Sequence, residues 1–431
     1  MIPRLLTFWY AIRSSLWALP LAMVAVACAL AVTALNIDVR LGDSPVWFLF
    51  SGGSNQAPQF LSSLVTAMIT MATLAISITM VVLTLAAQQL GPRLIGNFMG
   101  DRRTQAVLGL FIATVVYLLL VLRSAYGQGN SVSNLAVTGG TVLVLICIAT
   151  LLLFVHHLAQ SIVADNVIDR VGARLDGDIL RLLPKEAPEQ PERPDLKQQG
   201  APVLLSYGGY VQAIDFGSIV AAAAEADAVV ELAIRAGQHA VPGRILAYVT
   251  PKKAANDALC HAIQNAVLVG RQRTAVQDLE FSIRQLVEIA LRALSPGIND
   301  PYTANAVVDR LTLSIALIMT RSNAKSVWSD AEGKTRLEAP VSTFEGITDA
   351  AFNEIRQQAL PAVLIRMAES LGQLLQQADK AHCLALQKHL KLVVDAGRRS
   401  IAAEEDLDDL EASVEEADDE GRSGNKKHAR R

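Results

Sequence analysis

Four long apolar runs occupy the first 160 positions of the chain, and the residues after them alternate between apolar and polar. Because a helix needs about 20 residues to cross the hydrocarbon core of a bilayer, each run is long enough to span a membrane. We place the predicted spans near 16–35, 60–87, 106–122 and 135–157. The pattern therefore predicts a mainly α-helical integral membrane domain over 1–160, followed by a soluble domain.

The charges around the four runs predict their orientation. The first run follows Arg4 and Arg13, so a cleaved signal peptide is an alternative to a permanent span. Its apolar length of about 20 residues exceeds the roughly 7–15 of a signal-peptide core and favours an uncleaved anchor. Basic residues, which mark cytoplasmic loops, gather before the first span, between the second and third, and after the fourth, whereas the other two loops carry only Arg40 and Arg123. Both termini are therefore predicted to be cytoplasmic.

The soluble half, predicted to be a cytoplasmic α+β domain dominated by helices, divides by composition into four segments. A Pro-, Glu- and Gln-rich stretch cannot bury a core, so 161–202 is predicted to be a connecting helix and linker. Strand-like runs around a Gly-Gly turn predict a small α/β subdomain over 203–250. Apolar residues at three- and four-residue steps predict a helical domain over 251–400, with a loop or loose hairpin at 327–346. The acidic and then basic residues of 401–431 are typical of a disordered tail or a frayed helix.

Composition argues against several function classes. Only 18% of residues are charged, against about 25% in soluble proteins. The net charge of −3 argues against a nucleic-acid-binding protein, which needs a concentrated basic surface. The four cysteines lie far apart, and the chain contains none of the phosphate-loop, zinc-protease or serine-hydrolase motifs. We therefore expect no enzyme activity, no metal and no cofactor, and we expect the partners to be the lipid bilayer and further copies of the same chain.

The second span carries a stripe of hydroxyl side chains. They recur at steps of three and four residues, apart from one interruption at Met80, and so share one side of a helix. The stripe consists of Ser63, Thr66, Thr70, Thr73, Ser77 and Thr84. In a structural interpretation, these small side chains bond to their own backbone and let neighbouring helices approach closely. In a functional interpretation, the stripe is repeated around an oligomer axis and lines a pore.

The sequence GPRLIGNFMGDRR follows the second span. Its Gly-Pro pair breaks the helix and predicts a short amphipathic segment on the inner membrane surface. Arg93, Arg102 and Arg103 would then surround the inner mouth of a pore and attract anions. The alternative is that these arginines are only the signal that orients the protein.

Two adjacent histidines, His156 and His157, end the fourth span. Adjacent residues point to different faces of a helix, which disfavours a shared metal. His156 and Gln160 are one turn apart and could line a path, but an interfacial position explains the histidines without any functional role.

The most unusual soluble stretch is SPGINDPYTA. Ser295-Pro296-Gly297 ends one helix, and Asp300 followed by Pro301 suits the start of the next. The stretch is therefore at least a rigid corner between two helices. It also offers candidate ligands for a cation or small molecule, namely Asn299, Asp300, Tyr302 and Thr303. The preceding charged residues are predicted to form a solvated or interdomain network and are Arg271, Arg273, Asp278 and Glu280.

Three strings, GPRLIGNF-x-x-DRRTQ, HHLAQSI and ALSPGINDP, carry a resemblance to a known family. With them the chain resembles a bacterial family of predicted polytopic membrane proteins, catalogued as a domain of unknown function. The likeness extends from the first span to about residue 395 and leaves out the acidic and basic tail. It implies a multi-pass protein of the bacterial inner (plasma) membrane with four spans. It implies no activity and no site residues.

Two hypotheses of function follow from the sequence. The first is an oligomeric channel or conduit, lined by the second span and gated by the cytoplasmic domain. The second is a membrane-anchored sensor or scaffold, whose soluble half binds a ligand or a partner. The two differ in what the hydroxyl stripe faces.

Overall fold

The computed structural model describes residues 17–36, 56–90, 101–126, 134–187 and 200–414. The chain separates into two compact units, with the division between Asn166 and Val167. The unit before the division is called the membrane unit here, and the unit after it the soluble unit.

The membrane unit contains, within the described ranges, four helices that are long and apolar enough to cross a bilayer. They are α1 (Ala18–Asn36), α2 (Gln56–Leu90), α3 (Arg102–Ala125) and α4 (Asn134–Ser161). The four spans and the fold class predicted from hydropathy are confirmed. The last three helices extend several residues beyond the predicted spans, because polar residues continue a helix into the interface without changing its period.

Helix α3 is at the centre of the membrane unit and contacts the other three helices. Small residues permit this close packing, since Gly109 of α3 lies against Pro20 of α1, and Gly140 of α4 lies against Tyr117. The buried Tyr117 hydroxyl donates a hydrogen bond of 3.1 Å to the carbonyl of Ala136. Packing in the membrane unit thus follows the usual rule for membrane helices, with small residues and internal hydrogen bonds at the contacts.

The soluble unit contains eight strands among its described residues, arranged in two sheets. The strands are β1 (Ala201–Leu204), β2 (Gly209–Ile214), β3 (Val229–Leu232), β4 (His239–Ala240), β5 (Ile245–Thr250), β6 (Val267–Gly270), β7 (Val327–Ser329) and β8 (Thr335–Glu338). One sheet has the order β1–β5–β3–β8–β7, and the other has the order β4–β2–β6. All pairs are antiparallel except β3 with β8, which is parallel.

These sheets do not end at residue 250, where the small α/β subdomain was predicted to end. Strand β6 pairs with β2, and β8 pairs with β3 with Val230 opposite Leu337. The stretch 327–346, predicted as a loop or loose hairpin, therefore contains a hairpin that completes the first sheet. Its strands are too short to show a clear period, although Val327 and Leu337 are fully buried in the core.

Helices surround and extend this core. They are α5 (Ala164–Leu182), α6 (Phe216–Glu225), α7 (Asp257–Ala266), α8 (Leu279–Ala293), α9 (Pro301–Met319), α10 (Phe344–Gln358), α11 (Pro361–Gln377) and α12 (Lys380–Ser400). Proline occupies the first position of α9 and α11, where a missing backbone N–H costs nothing. Side-chain caps at Asp278, Asp300 and Thr343 begin α8, α9 and α10.

The beginning of the predicted tail is ordered. Residues 404–414 form a helix, called α13 here. Its Leu410 is fully buried and lies against Gly397 of α12, and its Glu411 pairs with Arg398 at 2.8 Å. This segment is therefore helical, which is one of the two alternatives for the tail, and one apolar side chain and one ion pair hold the acidic helix against α12. Residues 415–431 lie outside the described ranges.

Helix α5 is joined to α9 by a polar contact across a close approach. Arg310 of α9 donates to Asp176 of α5 at 2.5 Å and to Ser314 at 2.9 Å, and Ser314 in turn donates to Asp176 at 2.9 Å. Gly172 lies one turn earlier on α5, where an added Cβ would overlap the Arg310 side chain. Because Asp176 and Ser314 hold Arg310 in place, this side chain cannot move away without losing its partners.

We expect Gly172→Ala to destabilise the soluble unit by about 1–3 kcal/mol, the usual cost of overpacking. Gly177→Ala in the same helix is the matched control, since nothing lies within 4 Å of a Cβ at that position. There the alanine is expected to stabilise the helix by about 0.5–1 kcal/mol. Thermal unfolding of the full chain in detergent measures both effects, and equal midpoints for the two variants would contradict the assigned contact.

Candidate functional site

The hydroxyl stripe of α2 lies on the side of the helix that faces away from the rest of the membrane unit. All six predicted side chains, Ser63, Thr66, Thr70, Thr73, Ser77 and Thr84, are exposed. The opposite side of the same helix is the packed one and buries Ala57, Leu61, Val65, Met68, Ala72 and Ala75. Among the described residues, the stripe therefore does not pack the helices of one protomer together.

Most of these hydroxyls are bonded to their own helix. Five of them donate to the carbonyl four residues earlier at 2.9–3.1 Å, and they are Ser63, Thr66, Thr70, Thr73 and Thr84. A hydroxyl that donates to its own backbone keeps oxygen lone pairs free on the outward side. The exposed side of α2 thus carries a line of weakly polar, uncharged groups among exposed apolar side chains such as Leu74 and Met80.

The inner-mouth candidates Arg102 and Arg103 begin α3 and are exposed. Neither guanidinium forms an ion pair with a carboxylate in the described part of the chain. Arg93 and the predicted amphipathic segment after α2 lie outside the described residues. Two of the three predicted arginines are therefore available on the surface of the membrane unit.

Asp101, which precedes these two arginines in the sequence, is hydrogen-bonded to other groups than their guanidinium groups. Asp101 caps α3, where it accepts hydrogen bonds from the backbone N–H of Arg103 at 3.2 Å and from the Thr104 hydroxyl at 3.0 Å. Its Oδ2 also lies 2.8 Å from His157 Nε2 of α4. This pair joins the beginning of α3 to the last part of α4, and both side chains are about four-fifths buried.

Hydrogen bonding keeps Asp101 in its charged form. Burial alone raises the pKa of this carboxyl, but the hydrogen bonds from His157, Arg103 and Thr104 outweigh burial and lower the pKa below its usual value. The Asp101 carboxylate is therefore a stable acceptor for His157.

Sequence reasoning did not predict the Asp101–His157 pair. The signal was present, because DRR and HH fall in segments predicted to lie on the same side of the membrane, although they are 56 residues apart. His156, one residue away, is exposed together with Gln160. Only one of the two histidines is thus used in helix contacts.

The corner at SPGINDPYTA is built as a helix cap. Asp300 accepts hydrogen bonds from the Thr303 backbone at 3.1 Å and from the Thr303 hydroxyl at 2.6 Å. Asn299 adopts a positive φ of 53° that turns the chain into α9, and Tyr302 is 85% exposed. Two of the candidate ligands, Asp300 and Thr303, are therefore bonded to each other in the cap that begins α9.

The charged residues before α8 are largely buried rather than solvated, and only Arg271 is exposed. Asp278 is fully buried and pairs with Arg273 at 2.7 Å, while Glu280 pairs with Arg235 at 2.6 Å. Burial raises the pKa of Asp278 in spite of Arg273. Sequence reasoning missed Arg235, which comes from a separate segment between β3 and β4. The cluster connects the sheets to α8.

A surface recess of about 760 Å³ lies in the soluble unit between the start of α10 and the first half of α12. Its lining includes Phe344, His382 and Lys391. The His382 ring packs edge-on against Phe344 with 4.4 Å between centroids. Lys388, also in the lining, is bonded to Glu345 at 2.8 Å. The recess therefore combines an aromatic wall with one cation, Lys391, that has no ion pair among the described residues.

The four apolar helices and the helix-rich soluble unit define a multi-spanning membrane protein. Residues 13–373 match the family described as predicted membrane protein (DUF2254), and the chain belongs to this family. Two uncharacterised proteins, one of Mycobacterium tuberculosis and one of Mycobacterium bovis, are each 30% identical to it over 409 residues, which is 92% of this chain and 78% of theirs. No solved structure matches the chain.

We expect His157→Ala to destabilise the membrane unit, because the mostly buried Asp101 carboxylate loses its hydrogen bond to His157. A hydrogen bond to a charged group contributes about 1.5–3 kcal/mol. His156→Ala is the matched control, since His156 is exposed on the adjacent position of α4. Thermal unfolding in detergent should show a lower midpoint for the first variant alone. Equal losses in both variants would mean that the Asp101–His157 contact contributes nothing specific.

Proposed function

We propose that the protein is a non-enzymatic, homo-oligomeric channel or conduit of the bacterial inner membrane, with both termini in the cytoplasm. Copies of α2 surround the axis, and their hydroxyl stripes form its wall. The observation that carries this proposal is the exposure of the whole stripe on the side of α2 opposite the packed side. An oligomer can bring such stripes together, whereas a single copy leaves them on its outer surface.

The length of the stripe supports a polar path across the membrane, with one apolar interruption at Met80. Ser63 and Thr84 are separated by 21 helical steps, which at 1.5 Å per residue is about 32 Å. The hydrocarbon core of a bilayer is about 30 Å thick. The hydroxyls therefore extend over the full depth that an ion would have to cross, and uncharged oxygens replace part of an ion's hydration without holding it too tightly.

The connection between the units supports a gating role for the soluble unit. Only Ile162 and Val163 separate the end of α4 from the start of α5. Helix α5 buries Val171, Leu175 and Ile179 and is bonded to α9 through Asp176. A rearrangement in the soluble unit that moves α5 would therefore act on the fourth span through a very short linkage.

A second candidate function is a membrane-anchored sensor or scaffold whose soluble half binds a ligand or partner. The recess lined by Phe344, His382 and Lys391 favours it, because an aromatic wall beside a free ammonium group suits a small organic anion. If the protein is a sensor or scaffold, the exposed side of α2 contacts lipid or another protein, and no ion crosses the membrane.

The conduit predicts ion flux through purified protein in liposomes, and Thr70→Leu with Ser77→Leu is expected to abolish it by making the middle of the stripe apolar. Thr33→Leu in α1 is the matched control, since Thr33 is also exposed and donates to its own backbone at 2.7 Å. Flux should survive that control. Unchanged flux in the double variant would remove the stripe from the path.

The sensor predicts that a small organic anion raises the thermal unfolding midpoint of the full chain in detergent, because a ligand that binds only the folded state stabilises it. Lys391→Ala should reduce the rise, whereas Lys253→Ala, a change at another exposed lysine of the soluble unit, should not. The absence of any rise across a panel of mono-, di- and tricarboxylates would count against a ligand site in this recess.

A further inference from the structure

We infer that the conduit is selective for anions, and this inference rests on the proposed function. It starts from the charges of the membrane unit. Between Ser44 and the end of this unit at Asn166 the sequence contains four arginines and two acidic residues, Asp101 and Asp165, and it contains no lysine. A cation channel is expected to present rings of Asp or Glu to the ion, and an anion pore rings of Arg or Lys.

The structure shows that Asp101 makes no ion pair with the guanidinium groups of the arginines beside it. Both Asp101 oxygens are used inside the membrane unit, in contacts with His157, Thr104 and the backbone of Arg103. The Asp101 side chain is only 23% exposed, while the side chains of Arg102 and Arg103 are exposed. Two exposed guanidinium groups that are not paired with Asp101 therefore lie at this end of the membrane unit, together with one exposed acid, Asp165.

The hydroxyl stripe does not set the sign of the permeant ion. A hydroxyl can accept a hydrogen bond through its lone pairs, or rotate and donate its proton to an anion. Its interaction with either kind of ion is weak compared with that of a full charge. In contrast, every copy in the oligomer adds at least two guanidinium groups, Arg102 and Arg103, at the end of the membrane unit where α2 finishes and α3 begins.

The positive field of these groups acts over a useful distance. Screening at physiological salt has a length of about 8 Å, so a mouth of similar radius lies within the field of the surrounding arginines. Such a field raises the local concentration of anions and lowers that of cations before either enters the wall of hydroxyls. Arginine is always charged, so this selectivity does not depend on pH in the physiological range.

The same arginines also serve as an orientation signal, and an experiment can separate the two roles. Orientation depends on the total of basic residues in the short loops, which includes Arg93 and the arginines after α4. Selectivity depends on charge at the mouth itself. Replacing Arg102 and Arg103 therefore leaves most of the orientation signal in place.

The test measures the reversal potential of the reconstituted full-length protein in a planar bilayer with a tenfold gradient of potassium chloride. We expect wild type to reverse close to the chloride equilibrium potential. Arg102→Glu with Arg103→Glu is expected to move the reversal toward the potassium equilibrium potential. Arg102→Lys with Arg103→Lys, which keeps both charges, should leave it near that of wild type.

The outcomes distinguish this inference from the proposed function. No conductance in wild type would overturn the conduit itself, and the inference with it. A conductance that is cation-selective or unselective in wild type would overturn the anion inference and leave the conduit intact. If the charge-reversed variant fails to assemble, Arg102→Gln with Arg103→Gln takes its place, and an unchanged reversal potential there would exclude these arginines as the cause of selectivity.

Discussion

The arrangement of the membrane unit depends on one constraint, that a hydroxyl in hydrocarbon must find its hydrogen-bond partner within the protein. On α2 this partner is the helix itself, since Thr66, Thr70 and Thr73 donate to carbonyls four residues earlier at 2.9–3.0 Å. The exposed side of α2 can therefore face lipid in a single copy or a shared axis in an oligomer, with the same donors satisfied in both. Because these hydrogen bonds form within α2, the helix can carry a stripe of hydroxyls and still be apolar enough to span a membrane.

The charged side chains of Asp101, Arg102 and Arg103 lie apart from the hydroxyl stripe, at one end of the helices. The Asp101–His157 pair connects α3 to α4, and the Asp101 carboxylate in it is about four-fifths buried. The neighbouring arginines are left exposed. A single hydrogen-bonded pair thus connects two helices and uses the carboxylate that adjoins the arginines in sequence.

The soluble unit is assembled from segments that are far apart in the chain. Strand β8 enters the sheet between β3 and β7, and α5 is bonded to α9 through Asp176 and Arg310. Buried or half-buried ion pairs such as Arg273 with Asp278 accompany these contacts. Such pairs add little net stability on their own, but an unpaired partner would be costly, so they favour one arrangement over its alternatives.

The sequence by itself determined the four spans, the helix-rich soluble part and the period of the hydroxyl stripe, because each depends on the order of apolar and polar residues along a short segment. Pairs between distant residues carry no such period. The partner of Asp101, the entry of Val327 and Leu337 into the sheet and the docking of Leu410 therefore became visible only in the tertiary structure. The direction in which the stripe of α2 faces also became visible only in the tertiary structure, because it depends on which side of α2 the other spans cover.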